Sequence, residues 1–143
     1  MYKFIFCLLV AIAPAALSQE NPTRPANQEL MAKEKVFFVK SYTFYVKKEE
    51  MEKGLLNRKE FGKWGLQVTS HEGGADAVLL VRRAAFQNNF PYTVTDRATG
   101  IIVMGGEVNS LLGTVPGKIA GELVDKLRPI YEPRQSAPKP VTP

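Results

Sequence analysis

The stretch that decides the fold is YTVTDRATGIIVM, residues 92–104. Both of its ends are rich in β-branched residues, which favour strands. In the middle, Asp96 can accept hydrogen bonds from the backbone amides that follow it, and Gly100 can adopt a positive φ angle. The stretch therefore predicts two antiparallel strands joined by a tight turn. The glycine pair at 105–106 comes next and predicts a β-bulge in the second strand.

The sequence before this hairpin predicts a strand, a helix and two more strands. Residues 36–39 are aromatic and β-branched, as in a buried strand. Met51 and Leu55 lie four residues apart among charged neighbours, which indicates an amphipathic helix. Residues 66–70 alternate between apolar and polar, whereas residues 77–81 are continuously apolar, which is typical of a strand covered on both faces.

The strongest helix signal lies near the end of the chain. Ile119, Leu123 and Leu127 form an apolar stripe at four-residue spacing, and Pro129 is expected to end this helix. The predicted order is therefore β-α-β-β-β-β-α. A strand-helix-strand start favours a parallel pair with a right-handed crossover. We predict an α/β (α+β) fold with a mixed, mainly five-stranded sheet and two helices covering one face.

The first residues have the pattern of a signal peptide. Lys3 precedes an apolar run over residues 4–17, and small residues follow at the positions that a signal peptidase recognises, so cleavage is predicted between Ser18 and Gln19. The run is shorter than a membrane span, and no arginine pair precedes it. We therefore expect a signal peptide over residues 1–18, export by the general secretory route, and a periplasmic or extracellular location.

Cleavage would change the composition of the chain. The 143 residues include one cysteine, Cys7, so the mature chain would have none, and the loss of Lys3 would lower the formal net charge from +5 to +4. Without cysteine, the mature chain can have no disulfide, thiol nucleophile, cysteine-ligated zinc or covalently attached c-type haem.

Composition also predicts where the folded unit begins and ends. Residues 19–32 are polar and contain two prolines, which predicts a flexible N-terminal lead. Residues 132–143 contain four prolines and no apolar period, which predicts a disordered, proline-rich tail. A single α/β domain would then span residues 33–131, with no transmembrane span after cleavage.

One stretch has some features of a phosphate-binding loop. Residues 113–119 contain two glycines followed by a lysine, but three residues separate the glycines where the motif needs four. Ile119 also stands where a Ser or Thr would hold magnesium. We therefore exclude nucleotide hydrolysis here and predict at most a weak anion site at Lys118, beside the amino terminus of the last helix.

No catalytic, metal-binding or cofactor-binding residue is predicted. His71 is the only histidine, and its spacing from Glu72 and Asp76 matches no metal motif, so we interpret it as part of a solvated turn. Ser-His-Asp catalysis would depend on the same histidine. A hydrolase with a carboxylate pair remains an alternative, which requires a deep pocket with at least two acidic side chains.

The excess of positive charge lies in one region. Residues 33–63 contain nine Lys or Arg and five Glu, interleaved with aromatic residues. Such a pattern can bind anionic lipids or envelope polymers, although a solvated helix face with Glu–Lys pairing is the alternative interpretation. An exported protein is not expected to bind nucleic acid. The candidate residues for an anionic surface are Lys40, Lys47, Lys48, Arg58, Lys59 and Lys63.

Four short motifs resemble those of known envelope proteins. They are LNRKEF at 56–61, WGL at 64–66, ADAVL at 75–79 and VTDRATG at 94–100. Together they resemble an uncharacterised family of small bacterial envelope proteins with signal peptides, and the last two motifs are similar to those of the periplasmic α/β domains of the TolB amino-terminal and CsgG type. The resemblance implies an α/β fold and an envelope setting, and it implies no catalytic residue. The chain departs from these proteins in having no lipidation cysteine and no attached propeller or pore segment.

From the sequence we expect an exported, non-enzymatic α/β module. The absence of a catalytic motif and the exposed strand edges of a small mixed sheet favour binding to another envelope protein, or self-association. Electrostatic adhesion to anionic lipid or polymer through residues 33–63 is the second expectation.

Overall fold

The protein forms a mixed five-stranded sheet with helices packed on one face, and the computed structural model describes residues 23–85, 87–110 and 114–132. The strands are β1 (Val36–Ser41), β2 (Gln67–Thr69), β3 (Ala77–Val81), β4 (Asn89–Asp96) and β5 (Ile102–Asn109). The helices are α1 (Thr23–Lys33), α2 (Lys48–Leu56), α3 (Lys59–Lys63) and α4 (Val115–Tyr131), with a 3₁₀ turn at Glu72–Gly74.

The order of the strands across the sheet is β2-β1-β3-β4-β5. β1 pairs in parallel with β2 and β3, and α2 and α3 lie in the connection between β1 and β2. β3, β4 and β5 are antiparallel neighbours. The predicted mixed sheet is therefore confirmed, including the parallel start and the antiparallel hairpin.

The core lies between one face of the sheet and the helices. Alternate strand residues such as Phe37, Leu79 and Val94 are fully buried, as are Met51 and Leu123 from the helices. The residues between them on β1, β3 and β4 are only partly buried. This alternation means that the described helices all lie on one face of the sheet, and no described segment covers the other face.

The expectation that β3 is covered on both faces was wrong. Ala77, Leu79 and Val81 are buried, but Val78 and Leu80 are only half-buried. A continuous apolar run does not show whether a second layer exists, since any covering element lies elsewhere in the sequence. The structure therefore leaves apolar side chains of β3 on the side without helices.

Two helices in addition to those predicted pack on this sheet. One of them, α1, occupies most of the segment expected to be a flexible lead, and that expectation was wrong from Thr23 onward. α1 contacts β5 and α4, and its Met31 is fully buried. The hydroxyl of Tyr131 donates to the carbonyls of Met31 and Glu34 at 2.9 and 2.6 Å. These contacts, rather than its mostly polar sequence, hold α1 in place.

The last helix continues past Pro129 and ends at Tyr131, contrary to the expectation that the proline ends it. The final turn is held by tertiary contacts. The Tyr131 ring stacks on Trp64 with centroids 5.5 Å apart, and the Lys35 ammonium lies 4.2 Å from its centroid. Contacts of this kind offset the backbone hydrogen bond that a proline removes from a helix.

The hairpin turn has the predicted chemistry, but the bulge lies elsewhere. Gly100 has a φ of +73°, and Asp96 accepts hydrogen bonds from the amides of Ala98 and Thr99. The register shift falls between Val94 and Thr95 rather than at the glycine pair. At Gly106, a methyl group would overlap side chains of α4 and the Tyr92 hydroxyl. The glycine is therefore required for close packing of the helix on β5.

The predicted leader and cleavage site at residues 1–19 lie outside the described residues, as do the proline-rich tail from 133 and Gly113 of the phosphate-loop-like stretch. No helix in the described ranges is both long enough and apolar enough to span a bilayer.

Candidate functional site

A shallow trough crosses the uncovered face of the sheet over β3, β4 and β5. Its volume is about 470 Å³. Apolar side chains and two threonines line it, together with one arginine that directly follows β3. The side chains that define the trough are Leu80, Arg82, Pro91, Thr93, Thr95 and Ile102.

The trough is a surface that a folded partner can contact. Ile102 is 56% exposed although it lies in a strand, and Leu80 on β3 is only half-buried. Contiguous exposed apolar surface is uncommon on isolated proteins and is characteristic of interaction sites. The arrangement suits binding by shape and apolar contact, because the trough brings together no acid–base pair.

A second exposed surface is the loop between β1 and α2, residues 42–47, here called the aromatic loop. Phe44 is fully exposed, and Tyr42 and Tyr45 are each about three-fifths exposed. The loop follows the carboxyl end of β1, beside the end of its parallel neighbour β3.

The aromatic loop has a defined conformation. The Tyr42 amide donates to the Val81 carbonyl at 3.0 Å, and the Ser41 hydroxyl donates to the Val46 carbonyl at 2.6 Å. Val46 itself is fully buried in the core. Hydrogen bonds and the burial of Val46 therefore fix both ends of the loop, and Phe44 between them remains exposed to solvent.

Two arginines follow β3 and lie beside the aromatic loop. The Arg83 guanidinium carbon is 4.0 Å from the Tyr45 ring centroid, and that of Arg82 is 5.9 Å from the Tyr42 ring centroid. Arginine stacks favourably on aromatic faces at these distances. Within the described ranges, neither guanidinium has a carboxylate within ion-pair distance.

The structure does not assemble the six predicted anionic-surface residues into one patch. Three of them are ion-paired, namely Lys40 with Glu72 at 3.3 Å, Lys48 with Glu52 at 3.6 Å and Lys63 with Glu132 at 2.6 Å. The hydrogen bond that the Lys40 ammonium donates to the Glu72 carboxylate raises the pKa of Lys40.

The other three residues of that set are also dispersed. Arg58 donates to the Gly117 carbonyl near the start of α4. Lys59 is exposed on α3, and Lys47 is exposed at the end of the aromatic loop. Of the six, Lys40, Lys47 and Lys48 lie in or next to the loop with its aromatic side chains.

Lys118, the predicted weak anion site, lies in the first turn of α4. Its ammonium donates to the Asn109 carbonyl at 3.1 Å. The open depression beside it, about 670 Å³, is lined by Glu107, Glu122 and Asp125 as well as by Arg58. Three carboxylates against two cations give this depression no excess of positive charge.

An acidic pocket lies at the opposite end of the strands from the aromatic loop, where β1 and β3 begin and β4 ends. Its volume is about 180 Å³, and it brings together Glu34, Asp76 and Asp96, with Lys33 and Arg97 at its rim. Sequence reasoning missed Glu34, because the residue follows directly on a segment expected to be flexible.

The carboxylates of this pocket differ in their surroundings. Asp76 accepts hydrogen bonds from the amides of Lys35 and Val36 at 3.0 and 2.9 Å. Asp96 accepts from the turn, and its bonds from the Thr99 hydroxyl and the turn amides lower its pKa. Glu34 is 5% exposed, and among the described residues its Oε2 has no hydrogen-bond partner. Burial first, and then the charges of Asp96 and Asp76, raise the pKa of Glu34 to about 7.

Comparisons with known proteins give little beyond this geometry. No family model matches the chain, and no curated protein matches it. One solved structure with a similar arrangement is a PelC dodecamer from Paraburkholderia phytofirmans. It is 16% identical, with 71% of this chain and 88% of that chain covered and a TM-score of 0.34. At this TM-score the likeness supports no conclusion about function.

Sequence reasoning did not assign the residues of the trough to a site, whereas the aromatic loop lies inside the basic and aromatic region of residues 33–63 that it did single out. The trough has no local signal, since it depends on which strands become neighbours. Arg82 and Arg83 gave a weak signal, because two consecutive arginines directly follow an apolar strand. In the described parts of the chain, no group of three or more His, Cys, Asp or Glu is arranged to hold a metal ion.

Proposed function

We propose that this protein is an exported, non-enzymatic binding module that docks on another component of the cell envelope, or on a second copy of itself, through the trough. The observation that carries the proposal is the uncovered face of the sheet over β3, β4 and β5. Export is inferred from the leader pattern at residues 1–18.

The composition of the trough supports docking by a folded partner. Leu80, Pro91 and Ile102 supply apolar area, and the threonines of β4 supply hydroxyl groups without charge. An interface core is depleted of charged residues and relies on apolar contact, which matches this lining. Arg82 lines the trough directly after β3, and a charge at the rim of an interface would guide a partner.

The acidic pocket bears on the alternative of a carboxylate-pair hydrolase. The larger depression beside Lys118 also has carboxylates, but it is open and not the deep pocket that this alternative requires. The carboxylates of Asp76 and Asp96 accept hydrogen bonds from backbone amides. These bonds stabilise the local backbone, which is a structural role. The volume of about 180 Å³ is also below the range of about 300–1,000 Å³ that is usual for small-molecule sites. These two points support the non-enzymatic proposal over the hydrolase.

Electrostatic adhesion through residues 33–63 is less well supported than docking through the trough. Its candidate residues are spread from β1 to α3, and three of the six are neutralised by carboxylates. An adhesive surface needs its cations on one side of the molecule.

Site-specific photo-cross-linking tests docking through the trough. A photoreactive phenylalanine analogue is placed at Leu80 in the trough or, as a control, at Asp125 on the outer side of α4, and cells are irradiated before the envelope is isolated. We expect one discrete adduct from position 80 and none from position 125. Mass spectrometry then identifies the adduct as a second copy or another envelope protein. Absence of an adduct at position 80, or equal adducts at both positions, would contradict the proposal.

A further inference from the structure

The aromatic loop has a combination of features that the trough does not explain. Phe44 is fully exposed, whereas the neighbouring Val46 is fully buried. A solvent-exposed phenylalanine on an anchored loop costs free energy in water, which is recovered only if another apolar phase covers it.

We propose that the aromatic loop inserts into the headgroup region of an anionic phospholipid bilayer, with Phe44 as the inserted side chain and Arg82 and Arg83 bound to lipid phosphates. This surface shares Arg82 with the trough but has its inserted residue, Phe44, outside it, so the variants at Phe44 test this proposal separately from docking through the trough.

The aromatic residues of the loop suit the membrane interface. Tyr42 and Tyr45 are each partly buried at the base of the loop and partly exposed, with Phe44 beyond them. Tyrosine rings prefer the headgroup level, where one end is apolar and the other is hydrated, and phenylalanine partitions deeper. The T-shaped contact of Tyr45 with Phe90, with centroids 6.5 Å apart, holds the ring in this position.

The cations of the loop supply charge complementarity to phosphates. Arg82 has no ion pair in the described parts of the chain, and neither does Lys47 at the loop's end. The Arg83 Nε donates to the Gln87 carbonyl at 3.0 Å, which leaves the other guanidinium nitrogens for a phosphate. Guanidinium groups beside aromatic rings can bind phosphates while the rings contact the acyl chains.

The net positive charge around the aromatic loop is small, so the experiment must separate insertion of Phe44 from electrostatic attraction. Glu49 and Glu50 lie in the first turn of α2, next to the loop, and partly offset Lys47 and the two arginines. Binding should therefore depend more on the insertion of Phe44 than on charge. High salt should weaken binding severalfold but not abolish it.

Vesicle co-sedimentation tests the proposal on the chain that begins at Gln19, which keeps every described residue. The vesicles are phosphatidylcholine with or without phosphatidylglycerol. We expect the parent to bind the phosphatidylglycerol vesicles and Phe44→Ser to bind them about tenfold to a hundredfold more weakly. Leu56→Ser, which changes another exposed apolar residue on α2, is the matched control and should bind like the parent.

Charge variants test the phosphate contact separately. Arg82→Gln should lower binding to phosphatidylglycerol vesicles about fivefold, whereas Lys53→Gln, which removes the same charge from the exposed face of α2, should not. Circular dichroism confirms that each variant is folded.

Fluorescence locates the inserted residue. In Phe44→Trp, the tryptophan emission should shift to the blue on vesicles and be quenched by brominated lipid. Leu56→Trp should show neither effect. Trp64 is buried and contributes the same background to both variants. The proposal is overturned if the parent fails to bind phosphatidylglycerol vesicles, if Phe44→Ser binds as the parent does, or if both tryptophan variants respond equally.

Discussion

Replacing Glu34 by glutamine should make the protein more stable at neutral and alkaline pH. Glu34 is buried near Asp76 and Asp96, and its pKa is raised from 4.5 to about 7. Below pH 4.5 the carboxyl is protonated in both the folded and the unfolded chain. Between pH 4.5 and 7 the folded chain keeps a proton that the unfolded chain has lost, so the free energy of unfolding falls as the pH rises. Above pH 7 the full cost of the buried charge is present.

The size of this effect follows from the same numbers. The difference between 4.5 and about 7, at about 1.4 kcal/mol per pKa unit, gives about 3 kcal/mol. Glutamine has the shape of the protonated carboxyl and no charge, so Glu34→Gln should match the parent at pH 5 to within about 1 kcal/mol and exceed it by about 3 kcal/mol at pH 8. Lys33 and Arg97 at the rim of the pocket are retained in both chains, as is the hydrogen bond from Tyr131 to the Glu34 carbonyl.

Urea unfolding monitored by the fluorescence of Trp64 at several pH values measures this difference. The control is Glu29→Gln, which removes a carboxylate from the exposed side of α1 and should shift stability equally at all these pH values. A difference between parent and Glu34→Gln that stays constant from pH 5 to pH 8 would refute the reasoning, as would a glutamine variant that is the less stable one at pH 8.

Three further predictions follow from the packing. Gly106→Ala should lower the free energy of unfolding by about 1–3 kcal/mol, because its methyl group would overlap α4 side chains, whereas Gly117→Ala, with open space around it, should not destabilise the chain; equal effects in urea unfolding would contradict this. Tyr131→Phe removes both hydrogen bonds to the end of α1 and should cost about 1 kcal/mol, with faster amide exchange in α1 than in α2; unchanged exchange would argue against the tether. Asp96→Asn should destabilise the hairpin at pH 7 and less so at pH 3, since a carboxylate with a lowered pKa stabilises the fold above its unfolded pKa and loses that effect as the pH falls; a loss that is equal at both pH values would contradict it.

Local signals predict the strands and the hairpin because those elements depend on neighbouring residues. Asp96 and Gly100 are sufficient to define the turn, since one caps the following amides and the other has the positive φ that the turn needs. The spacing of Met51 and Leu55 likewise places α2 correctly, because both residues are buried on one side of the helix.

Elements that depend on distant contacts are not visible in the sequence. α1 is polar along most of its length and is held by Met31 in the core and by Tyr131 from the other end of the chain. The glycine pair in β5 has the pattern of a bulge, but Gly106 serves the approach of α4, which lies later in the sequence. In both cases the decisive partner lies too far along the chain for a local pattern to include it.

The candidate site was less predictable than the fold for the same reason. The trough exists because β3, β4 and β5 become neighbours and no described segment covers their second face, and neither fact has a local signature. The basic residues of 33–63 were visible, but their separation and their ion pairs arise from the three-dimensional arrangement. The sequence shows the aromatic composition of the loop. It does not show that Phe44 is fully exposed, because that depends on the folded structure.

Cysteine labelling on intact cells tests most directly whether the trough is covered by a partner. The predicted mature chain contains no cysteine, so Ile102→Cys in the trough and Asp125→Cys on α4 each provide a single thiol. Both positions are exposed in the isolated chain. We predict that a maleimide labels the two purified variants at equal rates. In the envelope it should label Ile102→Cys about tenfold more slowly than Asp125→Cys, because a partner that covers the trough in about nine-tenths of the molecules leaves one-tenth reactive. Equal labelling of the two cysteines in the envelope would contradict the proposed function.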